Sequence, residues 1–426
     1  MIDKRDLEYI LSEQQEDLEL KRSEKFCKRI EESSIDLNSP QAQIVIGVRR
    51  SGKSTLCYQA MKNANVKCAY VNFDDERLYG LQTNQLNDVL EVLYKIYGDF
   101  NYLFLDEIQN IEGWYLFVNR MLRKKMHVIV TGSNAKLLSG ELSTHLTGRN
   151  KEIELYPFSF LEFCMMKSVD ISRKTTKSEA FRRAAFDEYM RGGGFPELLS
   201  ISDSRSYIKT LVENILMRDI EQRYKITYKA AFVKMANHLL NVSPTIVVYK
   251  DLANIFHFKS VHTAQNYVDY LKQAYLLIGV SRYSRKSKIR VAREKVYAVD
   301  VALMNQRENA FAGENLGHRL ETTVLVHLIR KCKMEGWDVY YLNERNAECD
   351  FVVCKGSTVI QCIQVSYDIT LERTRKREIK GLVVAAKETR CDNLLLLTDH
   401  ESGQEQENGH QIKIQPVYEW CLELGL

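Results

Sequence analysis

The spacing of apolar and polar residues changes several times along the chain, and each change marks a new kind of element. Residues 3–34 carry apolar side chains at helical spacing among many charges, which predicts one or two amphipathic helices. From Gln43 to about residue 158, continuous apolar runs alternate repeatedly with helical patterns. Such runs are typical of strands that are buried on both faces of a parallel sheet. This segment therefore predicts βαβ units on a parallel sheet.

Beyond residue 160 the pattern becomes mostly helical until about residue 278, apart from a Gly-rich turn at 191–197. A hairpin with many basic residues is predicted at 282–297, and a second α/β pattern begins at Glu314. The predicted order there is helix, three strands, helix and strand, at 315–333, 338–342, 350–354, 358–365, 372–388 and 393–398. The polar stretch 400–411 is predicted to be a loop.

Composition and charge limit the class of protein. Hydrophobic residues make up 45% of the 426 positions and charged residues 27%, the balance of a globular chain. The net charge of +4 is too small to indicate nucleic acid by itself. The ten cysteines form no CxxC pair, and scattered cysteines are typical of reduced core residues. With a charged N-terminus and no apolar run of membrane-spanning length, the chain is expected to be cytoplasmic, without a membrane partner.

A Gly-rich segment directly follows the first apolar run and directly precedes a helical pattern. Its sequence, GVRRSGKST, fits G-x-x-x-x-G-K-[ST], a phosphate-binding loop. The glycines allow backbone N–H groups to turn toward phosphates, and the helix N-terminus adds partial positive charge. Lys53 is expected to contact the β- and γ-phosphates of ATP, and Ser54 to ligate Mg²⁺. The predicted ATP-binding residues are Gly47, Val48, Arg49, Arg50, Ser51, Gly52, Lys53, Ser54 and Thr55.

Two acidic residues, Asp106 and Glu107, end the apolar run of YLFLDE. They are expected at the C-terminal edge of a buried strand, where ligands bind in open α/β sheets. Asp106 is expected to hold Mg²⁺ together with Ser54, and Glu107 to polarise the attacking water. A phosphate loop followed by such an acidic pair predicts an ATPase.

Two further segments contain candidate catalytic residues. In HVIVTGSN, the polar residues Thr131, Ser133 and Asn134 follow an apolar run, and Asn134 is the best placed to sense the γ-phosphate. A helix N-cap at Ser133 or Asn134 is the alternative. Arg149 lies just before the final apolar run of this region. It is expected at the sheet edge near the nucleotide, projecting toward a neighbouring subunit, and an ordinary surface arginine is the alternative.

The order of the segments GVRRSGKST, FLDEIQ, TGSN, LTGR, LYPFSFLEF and GGFPE resembles that in prokaryotic AAA-type ATPases that carry a C-terminal domain of unknown function. The resemblance covers nearly the whole chain, and LYPFSFLEF and GGFPE are its most family-specific parts. It implies an AAA+-like core in which the phosphate-loop and acidic residues have the roles given above. It also implies that Asn134 is at the sensor position and Arg149 at the arginine-finger position, and therefore a homo-oligomer.

The segment 247–284 resembles a winged helix, with helices from Tyr249 to Phe256 and from about Val261 to Ala274. The basic hairpin after it would be the wing. Lysines and arginines neutralise DNA phosphates while the second helix enters the groove, so DNA is a predicted partner and a protein-binding module is the alternative. The candidate DNA contacts are Arg282, Arg285, Lys286, Lys288 and Arg290.

The order of elements after the hairpin resembles the core of restriction-endonuclease-like folds, in which carboxylates bind Mg²⁺ and a lysine positions or activates water. In this sequence the four positions are occupied by Glu321, Asp350, Gln364 and, in place of the lysine, Ser366. Glutamine is a poor replacement for a metal-binding carboxylate and serine carries no charge, so a degenerate site is expected. Lys376 or Lys380 on the following helix could take over the missing role.

The whole sequence predicts an α/β protein in four parts. These are an N-terminal helical lead-in (1–36), a P-loop AAA+-like ATPase core (37–160), a helical region with a winged helix (161–300) and a restriction-endonuclease-like domain (301–426). The expected function is Mg²⁺-dependent ATP hydrolysis that switches a DNA- or protein-binding assembly. One alternative is an ATP-gated nuclease, against which the Gln and Ser replacements argue. The other is a scaffold that nucleotide stabilises without turnover, against which the intact acidic pair argues.

Overall fold

The structure is a computed structural model that describes residues 2–21, 24, 26–133, 146, 148–284, 293–305, 315–344 and 347–426. The chain divides into two compact units, 1–155 and 156–426. Each unit contains its own sheet. The finer division into four parts stays a prediction.

The first unit contains a parallel sheet. Its strands are β1 (Ala42–Ile46), β2 (Cys68–Asn72), β3 (Tyr102–Asp106), β4 (His127–Gly132) and β5 (Asn150–Glu154). They lie in the order β2-β3-β4-β1-β5, and every neighbouring pair is parallel, which confirms the predicted α/β architecture. The helices are α1 (Lys4–Leu20), α2 (Lys53–Asn63), α3 (Leu86–Tyr97) and α4 (Trp114–Arg123). The sequence also has a helical pattern at 134–142, after β4, and that segment lies outside the described residues.

The strands and helices of this unit follow from their apolar spacing. All five residues of β1, AQIVI, are buried, as a strand covered on both faces requires. In α1 the apolar residues Leu7, Ile10 and Leu11 are buried at spacings of three and four, and Asp3 caps the helix by accepting from two backbone N–H groups. The predicted N-terminal amphipathic helix is therefore confirmed.

The second unit begins with helices and ends with a mixed α/β region. Its helices are α5 (Phe160–Met166), α6 (Thr176–Gly192), α7 (Ser204–Asn214), α8 (Lys229–Asn241), α9 (Tyr249–Ile255), α10 (Val261–Gln273), α11 (Ala302–Asn305), α12 (Leu316–Glu335), α13 (Glu372–Thr389) and α14 (Val417–Glu423). A π-helical turn, Ile215–Glu221, continues α7. Its strands are β6 (Thr245–Val247), β7 (Leu277–Arg282), β8 (Glu294–Ala298), β9 (Asp338–Glu344), β10 (Ala347–Lys355), β11 (Thr358–Val365), β12 (Leu394–Thr398), β13 (Gly403–Glu407) and β14 (His410–Pro416).

One nine-stranded sheet joins these strands, in the order β13-β14-β12-β11-β10-β9-β7-β8-β6. The antiparallel strands β7 and β8 are those of the predicted basic hairpin. β7 also pairs in parallel with β9, where Ser281 lies opposite Tyr340. Because an open strand edge leaves backbone N–H and C=O groups unpaired, the hairpin completes its hydrogen bonding on the neighbouring strands. The sheet therefore runs across the predicted boundary between residues 300 and 301.

The expectation of a loop at 400–411 is wrong, because this segment contains β13 and the start of β14. The two strands pair antiparallel, with Glu407 opposite His410. Asn408 and Gly409 connect them with φ angles of 51° and 83°. Two successive left-handed residues make the tight turn that Asn-Gly favours in hairpins. The polar composition of β13, which is largely exposed, concealed this local signal.

The segments LYPFSFLEF and GGFPE meet through their backbones inside the second unit. The N–H of Phe158 donates to the carbonyl of Gly194 at 2.7 Å, and the N–H of Gly194 donates to Asp300 at 2.9 Å. A Cβ at residue 194 would lie 2.2 Å from the Phe158 carbonyl oxygen. Only glycine permits this approach. The Gly-rich turn is therefore a packing element of the second unit.

A buried ion pair fixes the helix that follows. Ser159 caps α5 and Glu162 completes the capping box. The guanidinium of Arg330, on α12, donates to both carboxylate oxygens of Glu162 at 3.0 Å. Since a buried charge needs a partner, these two residues lock α5 to α12.

Candidate functional site

The phosphate loop follows β1 directly and ends at the N-terminus of α2. Gly47 has a φ of 150°, and a Cβ there would lie 2.1 Å from the carbonyl oxygen of Leu155, so no side chain fits. Gly52 has a φ of 94°, in the region that favours glycine. The positive φ of 69° at Arg50 belongs to the same turn. The loop thus brings a glycine-lined backbone to the start of a helix, which is a favourable place for an anion.

Lys53 is buried inside this loop. Its Nζ donates to the carbonyl oxygens of Gly47 at 3.3 Å and Val48 at 3.2 Å. It also lies 3.6 Å from a carboxylate oxygen of Glu107. The ammonium is therefore held between the loop and the acidic pair, and its contact with phosphates stays a prediction.

The other predicted loop residues occupy distinct places. Arg49 pairs with Asp74 at 3.1 Å, and Ser51 is buried with its N–H bonded to the Val48 carbonyl at 3.2 Å. Thr55 is half-buried in the first turn of α2. No sequence motif points to Arg29, a buried residue whose guanidinium donates to the Ser51 carbonyl at 3.1 Å. This arginine supports the loop from the N-terminal segment.

Asp106 ends β3 and is surrounded by hydroxyl groups. Ser54 Oγ donates to its Oδ1 at 2.8 Å, and Tyr70 OH donates to its Oδ2 at 3.2 Å. Thr131 Oγ1 also donates to Oδ1. Burial and the carboxylate of Glu107 raise the pKa of Asp106, and the hydroxyls oppose that rise. A carboxylate beside a hydroxyl, both oxygen ligands, fits the preference of Mg²⁺.

Glu107 follows in a left-handed conformation, with a φ of 50°. Its backbone N–H donates to Thr131 Oγ1 at 3.0 Å, and its carboxylate accepts from Gln109 Nε2. Glu107 therefore lies beside both Lys53 and Asp106, and it is only partly buried. That is the arrangement a general base needs to reach a water on the solvent side of the loop.

Of the two remaining predicted catalytic residues, the structure describes only Arg149. Asn134 lies outside the described residues. Arg149 is exposed, and its carbonyl accepts from the N–H of Ala42, the first residue of β1, at 2.9 Å. It thus lies at the amino end of β1 and β5, whereas the phosphate loop follows the carboxyl end of β1. The expectation that Arg149 lies near the nucleotide of its own chain is wrong, because residues that precede a parallel strand lie at the opposite edge of the sheet.

A second cluster of charged residues lies in the other unit. The structure brings Glu321 of α12, Asp350 of β10 and Gln364 of β11 to one cavity of about 1090 Å³. The Gln364 amide is bound at both ends: its oxygen accepts from the Asp350 N–H at 3.2 Å, and its nitrogen donates to Glu378 at 2.7 Å. Ser366 lines the same cavity, and its hydroxyl donates to the backbone carbonyl of Asp368 at 3.2 Å.

The lysine in this cluster is Lys295 of β8. Its Nζ lies 2.8 Å from Glu321, 2.7 Å from Glu348 and 3.6 Å from Asp350. Burial lowers its pKa, but the three carboxylates raise it more, so that the net pKa is raised and the ammonium stays charged. The sequence does not indicate this role, because Lys295 lies within the basic hairpin predicted at 282–297.

The alternatives Lys376 and Lys380 do not take the lysine position. Lys376 is exposed and pairs with Glu372 at 2.6 Å, and Lys380 is exposed at the cavity wall. Among the described residues, no group of three or more His, Cys, Asp or Glu side chains is arranged to hold a metal ion. The ammonium of Lys295 lies where the carboxylates converge, so the residues present do not fit a Mg²⁺ ion.

The predicted DNA contacts are represented by one described residue, Arg282. Its guanidinium donates to Glu344 at 2.7 Å and to the backbone carbonyl of Asn343. Arg282 therefore links β7 to β9, and it is not a free cation on the predicted wing. The other candidates lie outside the described residues; they are Arg285, Lys286, Lys288 and Arg290.

None of the described helices is long and apolar enough to cross a membrane.

The loop, the acidic pair and the parallel strand order define a P-loop ATPase domain of the AAA type. Residues 39–164 match the AAA domain family, and residues 183–313 match a domain of unknown function, DUF8612. The chain belongs to the same family as the uncharacterized protein MJ1544 of Methanocaldococcus jannaschii. The two are 31% identical over 439 residues, which cover 99% of this chain and 96% of that protein. An uncharacterized protein of Haemophilus influenzae is 29% identical over 77% of this chain and 82% of its own length.

Solved structures give a weaker likeness. AMPPCP-bound DnaA from Aquifex aeolicus matches with a TM-score of 0.25 and 13% identity, over 56% of this chain and 82% of that one. DnaA bound to AMPPCP and single-stranded DNA matches with a TM-score of 0.26 and 13% identity, over 55% and 82%. Likenesses of this size carry no argument about function.

Proposed function

We propose that this protein is a Mg²⁺-dependent ATPase whose nucleotide state controls a DNA- or protein-binding assembly. The observation that carries the proposal is the convergence of Lys53, Ser54, Asp106 and Glu107 at the carboxyl edge of β1 and β3. Each of these side chains has a defined use in phosphoryl transfer. The free thiols, all of them buried except half-buried Cys68, support the cytoplasmic location.

The roles follow from the contacts. Lys53 exchanges its loop carbonyls for the β- and γ-phosphates, which are stronger acceptors. Ser54 and Asp106 would hold Mg²⁺, which neutralises phosphate charge. Glu107 accepts the proton of the attacking water, and Thr131 and Gln109 fix its position. Removing the carboxylate charge at residue 107 should therefore stop turnover without stopping binding.

Two variants test this proposal with purified full-length protein. Lys53→Ala should abolish tight binding of a fluorescent ATP analogue, whereas Glu107→Gln should bind it normally and release phosphate at least about 100-fold more slowly. Lys62→Ala and Glu112→Gln, both at exposed positions, are the matched controls and should behave like wild type. Normal phosphate release by Glu107→Gln, or unchanged binding by Lys53→Ala, would contradict the assignment.

A DNA partner is supported by the order of elements around the basic hairpin. Helix α8, strand β6, helices α9 and α10, and the antiparallel pair β7 and β8 follow the order of a winged helix, and β6 pairs with β8 to complete the small sheet. The basic residues between β7 and β8 would then contact phosphates. A protein partner is the alternative, since such modules also bind proteins.

The salt dependence of DNA binding distinguishes these partners. Replacing Arg285, Lys286 and Lys288 by Ala should weaken binding to every duplex and lower the salt slope by about one unit for each DNA phosphate that the variant no longer neutralises. Arg282→Ala is the control, because that side chain is bound to Glu344 and should leave the slope unchanged. Fluorescence anisotropy between low and moderate salt measures the DNA affinity and its salt slope. Absence of DNA binding by wild type at low salt would favour the protein partner.

A further inference from the structure

The C-terminal cavity contains a buried cation that the ATPase function does not use. Lys295 approaches three carboxylates within 3.6 Å, and it reaches them from β8, a strand of the predicted wing. The carboxylates come from α12 and β10, which belong to the restriction-endonuclease-like part of the sequence. The lysine therefore crosses from one predicted domain into the other.

Carboxylates gathered in one cavity repel one another, and each loses hydration when it is buried. Such a cluster needs a counter-charge, which proteins supply either with a divalent cation or with a basic side chain. Here the ammonium of Lys295 lies at the point where Glu321, Glu348 and Asp350 converge. The chain itself therefore supplies a positive charge to the carboxylates, through Lys295.

Several other polar atoms of the cluster are also bound by the protein. Tyr297 OH donates to Glu321 Oε1 at 2.7 Å, the same oxygen that Lys295 contacts. The N–H of Val365 donates to Asp350 Oδ2 at 2.9 Å. The amide of Gln364 is held by the Asp350 N–H and by Glu378. These contacts leave the cluster organised around the ammonium.

We propose that Lys295 takes the place of the divalent cation of a nuclease-type centre, so that this cavity contains its own counter-cation and does not take up a metal ion. The ammonium ties β8 to β10 and α12, which makes the cluster a joint between the winged-helix region and the C-terminal region. The three carboxylates, which the ammonium now holds around itself, are not grouped to hold a metal ion in this structure. Removing the ammonium while keeping the carboxylates should let them close on a divalent cation instead.

The test is a count of Mn²⁺ ions bound by the nucleotide-free, full-length protein, measured by electron paramagnetic resonance. Lys295→Met removes the charge and keeps most of the side-chain volume, and it should bind one Mn²⁺ more per chain than wild type. Lys295→Arg keeps a cation and should show no gain. The double variant Lys295→Met with Asp350→Asn keeps the side-chain shape at residue 350 but removes one carboxylate charge. It should not bind the additional Mn²⁺ that Lys295→Met binds. The ATP site is the same in all variants, so differences report this cavity.

Two results would overturn the proposal. One is a folded Lys295→Met protein, with wild-type circular dichroism, that binds no additional Mn²⁺. The other is a wild-type protein that loses one Mn²⁺, or loses Mn²⁺-dependent cleavage of plasmid DNA, when Asp350→Asn is introduced. The comparison of wild type with Asp350→Asn does not need the Lys295 variant. It therefore decides whether the wild-type cavity binds a metal ion even if Lys295→Met fails to fold. Equal Mn²⁺ counts for wild type and Asp350→Asn support Lys295 as the counter-cation of the cavity.

Discussion

The hydroxyl of Thr131 accepts the backbone N–H of Glu107 at 3.0 Å, and it donates its own hydrogen to Asp106. One side chain near the end of β4 therefore positions both acidic residues at the carboxyl end of the neighbouring strand β3. In the sequence, Thr131 is one of three candidates for phosphate sensing, and Asn134 is the favoured one. The hydrogen bonds give Thr131 a different role, that of a positioning residue for the acidic pair.

Thr131→Val should weaken both stability and turnover. Valine has nearly the same shape but no hydroxyl, so buried Asp106 loses a donor and the Glu107 N–H loses its acceptor, which costs about 1–3 kcal/mol of unfolding free energy. Turnover should fall more than ATP affinity, because the loop and Lys53 are untouched. Urea denaturation and phosphate-release assays measure the two effects. Thr131→Ser keeps a hydroxyl and should therefore have most of the wild-type stability and turnover. A Thr131→Val variant with wild-type turnover would contradict this role.

The packing of the Gly-rich turn can be tested with two glycines that lie two residues apart. A Cβ at Gly194 would lie 2.2 Å from the Phe158 carbonyl oxygen, whereas a Cβ at Gly192 meets nothing within 4 Å. Gly194→Ala should therefore lower the unfolding free energy by about 1–3 kcal/mol or more, because backbone atoms cannot yield. Gly192→Ala should be neutral or stabilising by up to about 1 kcal/mol. Equal urea midpoints for the two variants would show that the close approach is not required.

Local and nonlocal features differ in how well the sequence predicts them. The motif of the phosphate loop lies within residues 47–55, so the spacing of that one segment predicts the loop. The position of Lys295 depends on which strand β8 joins and on which face of that strand the side chain lies, and neither can be read from a run of basic residues. Arg149 is intermediate, because its place follows from strand direction once the parallel sheet is recognised.

Acid should destabilise the second unit through His327. This buried ring accepts the Phe160 N–H on Nε2 at 2.9 Å, so Nδ1 is the donor, to the Thr323 carbonyl at 2.8 Å, and the ring is neutral. Burial lowers its pKa from 6.5 to about 4. The unfolded chain therefore binds the proton first, and this contribution to stability is present above pH 6.5 and lost as the pH falls toward 4.

The size of this loss is up to about 3 kcal/mol, since each pKa unit corresponds to about 1.4 kcal/mol. Urea denaturation at intervals between about pH 7 and about pH 4.5 measures it. His327→Gln keeps a polar amide but does not titrate, so its unfolding free energy should fall less over the same range. Parallel pH profiles for the variant and wild type would rule out His327 as the source. The quantity to compare is the slope of unfolding free energy against pH, because a change in packing alters the absolute stability but not this slope.

Arg149 should act on a neighbouring subunit. It lies at the amino end of β5, and the five residues of that strand, at about 3.3 Å each, put about 17 Å between it and the level of the phosphate loop. Its exposed side chain does not span that distance, so any catalytic use of Arg149 requires a second copy of the chain. An arginine supplied in this way stabilises charge in the transition state and raises turnover by about 10³-fold or more.

Arg149→Ala is therefore expected to bind ATP normally and to hydrolyse it about 10³-fold more slowly, while Arg123→Ala, at another exposed position, stays at the wild-type rate. Mixing Arg149→Ala with Lys53→Ala should restore part of the activity, because some interfaces then join an intact Arg149 to an intact phosphate loop. Energy transfer between labelled subunits would verify that they exchange. If subunits exchange but activity does not return, or if Arg149→Ala turns over normally, Arg149 is an ordinary surface residue. A protein that stays monomeric with ATP bound would also show that Arg149 is an ordinary surface residue, since a monomer offers no neighbouring ATP site.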